Sequence, residues 1–272
     1  MSITNIEIFR IAQTTVNAQA VDRWLNYLGV FEFDLPAEAV SDPALLIALA
    51  AKRCYMSFEP GLNPNVTRVR KDYVDYFDNL LRSKHGSVLE HSSFTYAIEG
   101  VTRVFTAEMN RHRAGWAISE GSLRFIRFDR DVPYWLPTSI REDATDDLEL
   151  AERKRLTREE FHEAFRDTEE RYARLLSIWE MDAADKNFSY KKKVTSCLRR
   201  IVPLGVSTGG VWTGNIRALR HVIAMRAAPA AEEEIFHVFG KVADDVIASE
   251  PLMFGDFKRC DDGSFEPGYW KV

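Results

Sequence analysis

The stretch from residue 93 to residue 113 places a strand-like pattern directly before a helix-like one. Residues 93–101, SFTYAIEGV, are rich in aromatic and β-branched residues, which predicts a strand. Residues 102–113, TRVFTAEMNRHR, have helical spacing and carry a basic triplet at the C-terminal end of the predicted helix. A chain with both signals is expected to mix α and β structure.

Similar signals continue along the chain. The alternating residues 5–13 and 123–128 predict two more strands, and residues 41–56 predict a helix that opens with Ser-Asp-Pro. The densely charged segment 142–181 predicts a long solvated helix. Further helices are predicted at 68–84, 188–201, 215–228 and 231–248. Between the predicted helices 188–201 and 215–228, Gly205, Gly209, Gly210 and Gly214 indicate a bend or a close backbone approach.

Composition limits the classes of protein. The 272 residues, 46% hydrophobic and 28% charged, favour one domain over residues 1–272. The net charge of −5 argues against a general nucleic-acid or membrane surface. Without a signal-like N-terminus or an apolar run of about 18 residues, the chain is expected to be cytoplasmic.

The cysteines and histidines do not favour a metal or a disulfide framework. Cys54, Cys197 and Cys260 are widely spaced and odd in number, so reduced thiols are expected. His85 and His91 lie near Glu90, but the segment has no HExxH pattern, and no metal is predicted. A neutral or hydrogen-bonding role for these histidines, or simple burial, is favoured.

Positive charge is concentrated in residues 109–128, MNRHRAGWAISEGSLRFIRF. An isolated arginine at a helix end usually complements the helix dipole or pairs with a carboxylate. Here Arg111 and Arg113 flank His112, and Arg124 and Arg127 follow in the same stretch. Because guanidinium groups suit phosphate, this cluster favours a phosphorylated ligand.

A second basic set lies downstream on the predicted helix 215–228 and just before it. Its members are Arg199, Arg217, Arg220 and Arg226, accompanied by Asn215 and His221. Asn215 and Arg226 are about three helical turns apart, so they share roughly one face. That face either lines a groove or is the solvated side of an amphipathic helix.

Ordered motifs extend these observations. HGSVLEH (85–91), RHR (111–113), SEGSLRF (119–125), RRIVP (199–203), WTGNIRALRHVIAMR (212–226) and AEEEI (231–235) follow one another along the chain. This series resembles the signature of the flavin-dependent thymidylate synthase family, ThyX, over roughly residues 44–250.

The resemblance implies an α+β fold with a twisted, antiparallel-rich sheet flanked by helices, assembled as a homotetramer with FAD sites at subunit contacts. It implies reductive methylation of dUMP at C5 to dTMP, with FAD as cofactor and with methylenetetrahydrofolate and NADPH as co-substrates. The implied flavin-binding residues are His85, Ser87, Glu90, Arg111, His112, Arg113, Asn215, Arg217 and His221. The implied nucleotide-binding residues are Glu108, Glu120, Gly121, Ser122, Leu123, Arg124, Arg199 and Arg226, of which Ser122, Arg124 and Arg226 are the implied catalytic residues.

Several positions depart from the family pattern. Eight residues, among them Trp116, separate Arg113 from Ser122, one more than is usual in the family. Glu108 and Glu232 stand where glutamine occurs or is common, Ser119 where asparagine is common and Phe125 where tyrosine is common. Relatives in nucleoside-antibiotic pathways methylate UMP, so the longer loop leaves UMP open as the substrate.

Two further alternatives belong to other functional classes. A catalytically silent flavin- or nucleotide-binding homologue would keep the arginines and lose turnover. An RNA-binding module would use them for phosphates, but no RNA motif accompanies them. Since no cysteine follows a proline or precedes a histidine, a thiolate nucleophile is not expected.

Overall fold

The computed structural model describes residues 2–31, 33, 40–141 and 145–272. Its strands are β1 (Ser2–Ile3), β2 (Glu7–Gln13), β3 (Ser93–Thr102), β4 (Trp116–Glu120), β5 (Pro133–Tyr134), β6 (Ser207–Asn215), β7 (Phe257–Arg259) and β8 (Phe265–Pro267). Its α-helices are α1 (Ala18–Tyr27), α2 (Asp42–Tyr55), α3 (Tyr73–Arg82), α4 (Arg103–Met109), α5 (Thr138–Arg141), α6 (Leu148–Ile178), α7 (Phe188–Leu198), α8 (Ile216–Arg226), α9 (Glu233–Ser249) and α10 (Pro251–Phe254). Short 3-10 turns span Gly86–His91 and Arg199–Ile201.

Strands β2, β3, β6 and β4 form an antiparallel sheet in that order. The register places Tyr96 of β3 and Ile118 of β4 opposite Trp212 of β6. Because side chains alternate across a strand, Tyr96, Ile98 and Trp212 share the inner face, and all three are buried. The expected antiparallel-rich sheet is confirmed.

Helices cover the inner face of this sheet. Ile47 of α2, Phe77 of α3, Leu219 of α8 and Val238 of α9 belong to the same buried cluster as Trp212. Fully burying an aliphatic or phenylalanine side chain of this size contributes about 1.5–3 kcal/mol. The sheet therefore holds α8, which carries much of the second basic set, in a fixed position.

A second core lies between α6, α7 and the chain around β5. Phe165 and Tyr172 of α6 pack with Phe128 and with Val194 of α7. The rest of α6 is largely exposed and densely charged, which confirms the predicted solvated helix, although residues 142–144 of the predicted segment lie outside the described residues. No helix in the described part of the chain is both long and apolar enough to cross a membrane.

Capping residues set the helix starts. Ser41 caps α2 as predicted, since its hydroxyl accepts a hydrogen bond from the Ala44 amide at 3.4 Å. The helix predicted at 68–84 begins later, at Tyr73, because the Asp72 carboxylate accepts from the Asp75 amide at 2.8 Å. The strand at 93–101 and the helices at 188–201, 215–228 and 231–248 are confirmed with shifted ends.

The glycine-rich segment before α8 combines a turn at Gly205, where a bend was predicted, with a strand that was not predicted. Residues 207–215 form β6, which pairs with both β3 and β4. The predicted close approach is confirmed: a Cβ on Gly209 would lie 1.8 Å from a Glu99 carboxylate oxygen, and one on Gly214 would lie 2.8 Å from the Trp116 ring. Glycine lowers strand propensity but leaves room for these neighbours, so packing overrides propensity here.

The strand predicted at 123–128 is wrong. The strand of this region is β4, which ends at Glu120, and residues 123–125 form a turn. The Phe125 side chain is exposed, whereas the Phe128 side chain is buried in the second core, and residues 123–128 pair with no strand of the described sheet. Alternation alone therefore did not identify a paired strand.

Candidate active site

Helix α8 carries the first group of candidate residues. Asn215 caps this helix, because its side-chain oxygen accepts a hydrogen bond from the Ala218 amide at 2.8 Å. In the first turn of the helix, Arg217 donates from Nη1 to the Glu90 carboxylate at 2.7 Å. The 3-10 turn that holds Glu90 is thereby joined to α8, so two segments that carry candidate flavin-binding residues lie side by side.

The other end of α8 meets the segment after α4. Arg226 donates from Nε to Nε2 of His112 at 2.8 Å, and its Nη1 lies 2.9 Å from Glu108. The rings of His112 and His221 are 6.5 Å apart. Glu90, α8, His112 and Glu108 therefore form one continuous polar row along the helix.

The imidazole of His112 is held neutral by its surroundings. Burial lowers its pKa, and the charges of Arg226 and Arg111 and the neighbouring His221 lower the pKa further, while Glu108 acts in the opposite sense. The hydrogen bond that Nε2 accepts from Arg226 places the remaining ring proton on Nδ1. His112 can therefore donate from Nδ1 without carrying a charge.

The basic triplet follows α4 rather than ending it. The helix stops at Met109 with Asn110 as its C-cap, so residues 111–113 lie in the turn beyond. Arg111 is 3.6 Å from Glu108 and 72% of its side chain is exposed, and Arg113 is also exposed. Two guanidinium groups therefore face solvent beside His112.

His85 and Ser87 lie at the Glu90 end of the row. The His85 ring stacks on Tyr55 with ring centres 5.8 Å apart, and Ser87 is exposed. All nine residues implied for flavin binding thus lie on α8 or its N-cap, on the 3-10 turn before β3 or its N-cap, or in the turn after α4.

A cleft of about 410 Å³ opens along α8. Arg217 and His221 line it together with Trp270 and Val272 from the C-terminal segment. Arg217 also donates from Nε to the Val272 carbonyl at 3.0 Å. The contribution of the C-terminal segment was not predicted, because only the packing of residues 257–272 brings it to α8.

Arg220 has a structural role instead. Its guanidinium makes two hydrogen bonds to Asp256, at 2.6 and 2.7 Å, and its side chain is only 5% exposed. This member of the second basic set therefore anchors the C-terminal segment through Asp256.

A second cleft, of about 670 Å³, holds most of the candidate nucleotide-binding residues. Its lining includes Glu120, Gly121, Ser122, Leu123 and Arg199. Within the SEGSLRF motif, the Ser122 hydroxyl accepts from the Arg124 amide at 3.4 Å, so the motif turns back on itself beside the cleft.

Arg103 and Asn110 line the same cleft and were missed by the sequence analysis. The Arg103 guanidinium donates to the Gly121 carbonyl and lies 3.1 Å from the Glu120 carboxylate. Asn110 donates to Glu120 at 3.3 Å. The spacing of residues 103, 107 and 110 on one predicted helix face is the signal that could have found them.

Three candidate residues lie outside this second cleft. Glu108 and Arg226 form their ion pair on the α8 side, and the Arg124 side chain is exposed next to the motif. One copy of the chain therefore divides the candidate nucleotide-binding residues between two surfaces.

Neither cleft is lined by a cysteine, so the thiols of Cys54, Cys197 and Cys260 have no position for attack there. Over residues 2–31, 33, 40–141 and 145–272, no group of three or more His, Cys, Asp or Glu side chains could hold a metal ion.

Comparison with known proteins identifies the family. The sequence model of the family described as "Thymidylate synthase complementing protein" matches residues 37–252. The chain belongs to this family. The polar row and the second cleft lie within the matched segment, whereas Trp270 and Val272 lie beyond it.

Members of the thymidylate synthase complementing protein family with similar sequences carry the name flavin-dependent thymidylate synthase. The chain is 32% identical over 234 residues to the protein of that name from Mycobacteroides abscessus, covering 85% of this chain and 86% of the relative. It is 33% identical over 229 residues to that from Mycobacterium tuberculosis, covering 83% and 84%.

Solved structures share the family fold. The UMP/dUMP methylase PolB from Streptomyces cacaoi, bound with 5-Br UMP, superposes with a TM-score of 0.61 at 17% identity and covers 93% of each chain. ThyX from Helicobacter pylori, solved with FAD and dUMP, gives a TM-score of 0.53 at 16% identity and covers 93% of this chain and 98% of that one. At these identities the similarity shows the fold.

Proposed function

We propose that this protein is a flavin-dependent thymidylate synthase that converts dUMP to dTMP. With FAD as cofactor, dUMP, methylenetetrahydrofolate, NADPH and a proton give dTMP, tetrahydrofolate and NADP⁺. The observation that carries this proposal is the row along α8, in which Arg217, His221 and Arg226 lie between Glu90 and the basic triplet.

The residues present fit FAD. Arg111, Arg113, Arg217 and Arg226 outnumber the carboxylates among them, and Arg113 has no ion-pair partner in the described part of the chain. A diphosphate and a reduced flavin are both anionic, so this excess of positive charge suits the cofactor. When bound, FAD supplies the hydride chemistry that no side chain here provides.

Individual roles follow from the contacts of each residue. We propose that His85, Ser87, Glu90, Asn215 and Arg217 hold the cofactor at the N-terminal end of α8. Arg111, His112, Arg113 and His221 would hold it near the other end. The neutral His112 would donate a hydrogen bond from Nδ1, because Arg226 already occupies Nε2.

The second cleft suits the nucleotide. Arg199 and Arg103 provide guanidinium groups for the phosphate beside the Ser122 hydroxyl, and Gly121 and Leu123 line the same cleft. Glu120 contacts both Arg103 and Asn110, and these contacts fix the positions of the three side chains on one side of the cleft. Arg226 would also reach the phosphate, and Arg124 would stabilise the negative charge that develops on the uracil ring.

We also propose a homotetramer. Glu108 and Arg226 lie on a different surface from Ser122 and Arg199, so one copy does not surround a nucleotide with all of them. A second copy that brings its α8 surface to the Ser122 cleft would complete the site.

An absorbance spectrum of the purified protein combined with light scattering tests this proposal. We expect about one FAD per chain, a tetrameric mass, and dTMP formation when dUMP, methylenetetrahydrofolate and NADPH are supplied. A protein that neither contains nor takes up FAD would contradict it. A flavin-bound protein that forms no dTMP would indicate the silent homologue.

A further inference from the structure

Residues 269–272, which we call the strap, follow β8 and line the cleft along α8. Arg217 and His221, two of the residues implied for flavin binding, line the same cleft. The strap lies beyond residue 252, where the match to the family model ends. Its contribution to the cleft is therefore not described by the family motifs and depends on the packing of this chain.

Two carboxylates hold the start of the strap. The Tyr269 amide donates a hydrogen bond to Oδ2 of Asp256 at 3.1 Å, and the Tyr269 hydroxyl donates to Asp78 of α3. Asp256 in turn accepts two hydrogen bonds from Arg220 of α8. Because α3 and α8 pack in the same buried cluster, these bonds fix the strap relative to the helix that lines the cleft.

The end of the strap contacts residues of the candidate flavin site. Lys271 has a φ of 60°, in the left-handed region that favours glycine, so the backbone turns after Trp270. The Val272 carbonyl then accepts the hydrogen bond from Nε of Arg217 at 3.0 Å. Packing here is close, since a Cβ on Gly86 would lie 2.3 Å from the Val272 carbonyl carbon. A backbone held in a sparsely populated conformation beside a candidate site is typical of functional segments.

Trp270 lies between these two fixed ends. It is 57% exposed and lines the cleft, whereas Trp135 and Trp212 are 6% and 0% exposed. Across the described ranges, the Trp270 indole contacts no other ring and its Nε1 donates no hydrogen bond. A large aromatic side chain that is held at a cleft without a partner is typical of a ligand-binding surface.

The other residues of the cleft suit a flat ring that is attached to an anionic group. Ala224 and Met225 of α8 and Phe257 of β7 provide apolar surface, and Met225 is 46% exposed. Arg217 and Lys271 provide positive charge, and none of the described residues that line the cleft is acidic. The cleft therefore combines the surface that an aromatic ring contacts with the charge that a phosphate requires.

The polar row along α8 indicates an elongated ligand. Arg217 and Arg226 are nine residues apart, or about 14 Å along the helix axis. The exposed guanidinium groups of Arg111 and Arg113 lie near the Arg226 end, whereas the strap contacts the Arg217 end. Since FAD carries a planar ring on each side of its diphosphate, a diphosphate bound by the basic triplet would direct one of these rings toward the strap.

We propose that Trp270 stacks on a planar ring of FAD and that the strap forms one wall of the cofactor site. The inference rests on the proposed function, which takes FAD as the cofactor. The flavin and the adenine share the property that an indole recognises, a flat aromatic face. Binding the two halves of the cofactor separately shows which of the two rings Trp270 contacts.

Calorimetric titration of the full chain, stripped of flavin, tests the proposal. Kd is measured for FAD, FMN and ADP in the wild type, Trp270→Ala and Trp270→Phe. Trp179→Ala is the matched control, because Trp179 is also exposed, at 44%, but ends α6 beside the second core. Circular dichroism verifies that each variant folds, and light scattering gives its mass.

We expect Trp270→Ala to weaken FAD binding about tenfold, as alanine does at a residue that stacks on a base. Trp270→Phe keeps a ring and should lose about half of this effect on a logarithmic scale, and Trp179→Ala should bind FAD as the wild type does. A matching loss for FMN with unchanged ADP affinity would assign the flavin to Trp270, and the reverse would assign the adenine.

The Kd of FAD decides the proposal. An affinity in Trp270→Ala within twofold of the wild type would overturn it. An altered mass of Trp270→Ala would also overturn it, because the indole would then contact a second copy of the chain instead of the cofactor. Failure of the proposed function has a different signature, a wild-type protein that binds no FAD.

Discussion

Arg226 donates a hydrogen bond from Nε to Nε2 of His112 at 2.8 Å and simultaneously pairs through Nη1 with Glu108 at 2.9 Å. The last turn of α8 is thereby joined to α4 and to the basic triplet, which are more than a hundred residues earlier in the chain. This contact determines the tautomer of His112 and, after burial, is the largest cause of its lowered pKa.

The protonation of His112 should depend on Arg226. Arg226→Ala should raise the pKa of His112, because the nearby positive charge of Arg226 lowers it in the wild type, second only to burial. The histidine Cε1 proton resonances, titrated by NMR and assigned with His112→Gln, measure this shift. Arg153→Ala on the exposed part of α6 should leave the titration unchanged, and an unshifted His112 in Arg226→Ala would contradict the assigned contact.

Nucleotide affinity should also depend on Arg226. Arg226→Ala should weaken dUMP binding by roughly 1.5–3 kcal/mol, the value typical of a lost charge-assisted hydrogen bond, while most of the flavin stays bound. Titration of the oxidised protein with dUMP, followed in the flavin spectrum, gives both quantities. If Arg226→Ala instead lost flavin and kept its affinity for dUMP, Arg226 would be assigned to flavin binding and not to nucleotide binding.

Arg103 should matter although the motif analysis did not single it out. Its guanidinium supports the Gly121 carbonyl and Glu120 and lines the cleft with Ser122. We expect Arg103→Ala to weaken dUMP binding by about 1–3 kcal/mol and Arg103→Lys to restore only part of this, since lysine lacks the planar fork. Calorimetry with dUMP measures the affinity of each variant. If Arg103→Ala bound dUMP as tightly as the wild type does, Arg103 would not be a nucleotide-binding residue.

Glu234 should make stability depend on pH. Its side chain is 1% exposed and accepts hydrogen bonds from the Thr102 amide and the Thr102 hydroxyl, each at 2.5 Å. Burial raises the pKa of Glu234 more than these hydrogen bonds lower it, and the resulting pKa is about 7. The folded state then binds more protons than the unfolded state between the usual pKa of 4.5 and pH 7, so the free energy of unfolding falls as pH rises through this window. The contribution lost is about 3 kcal/mol, from 1.36 kcal/mol per pKa unit.

Glu234→Gln removes that titration and can keep both contacts with Thr102. Urea denaturation at pH 5 and pH 7 should show a smaller difference in this variant than in the wild type. Glu233→Gln is the control, because hydrogen bonds from Thr138 and Ser139 lower the pKa of Glu233 and place its titration below the window. An equal pH dependence in Glu234→Gln would show that another group is responsible.

The longer segment between Arg113 and Ser122 should allow both dUMP and UMP as substrates. Trp116 starts β4, packs on Gly214 and meets Phe239 edge to face at 6.4 Å, and it does not line the Ser122 cleft. We expect turnover of both dUMP and UMP with dUMP preferred, because an unpartnered ribose hydroxyl costs about 1–3 kcal/mol, or roughly tenfold to a hundredfold. The ratio of kcat/KM for the two nucleotides measures this, and rejection of UMP by more than about a thousandfold would contradict it.

Features carried by adjacent residues were predictable from the sequence. The cap at Ser41, the strand at 93–101 and the helix that begins after Asn215 depend on interactions over a few residues, and each is present. The order of motifs predicted the family, and the predicted helix at 215–228 placed Arg217, His221 and Arg226 on one helix, as α8 has them.

Contacts between distant segments were decided only by the tertiary structure. β6 was missed because its glycines have low strand propensity and are accommodated by Glu99 and Trp116, which lie on other strands. The contact of Arg226 with His112, the approach of Arg103 to Gly121 and the arrival of Trp270 at α8 all depend on how the helices pack against one sheet. Local patterns encode which face of an element is apolar, but the partner of that face is chosen by the packing of the whole chain.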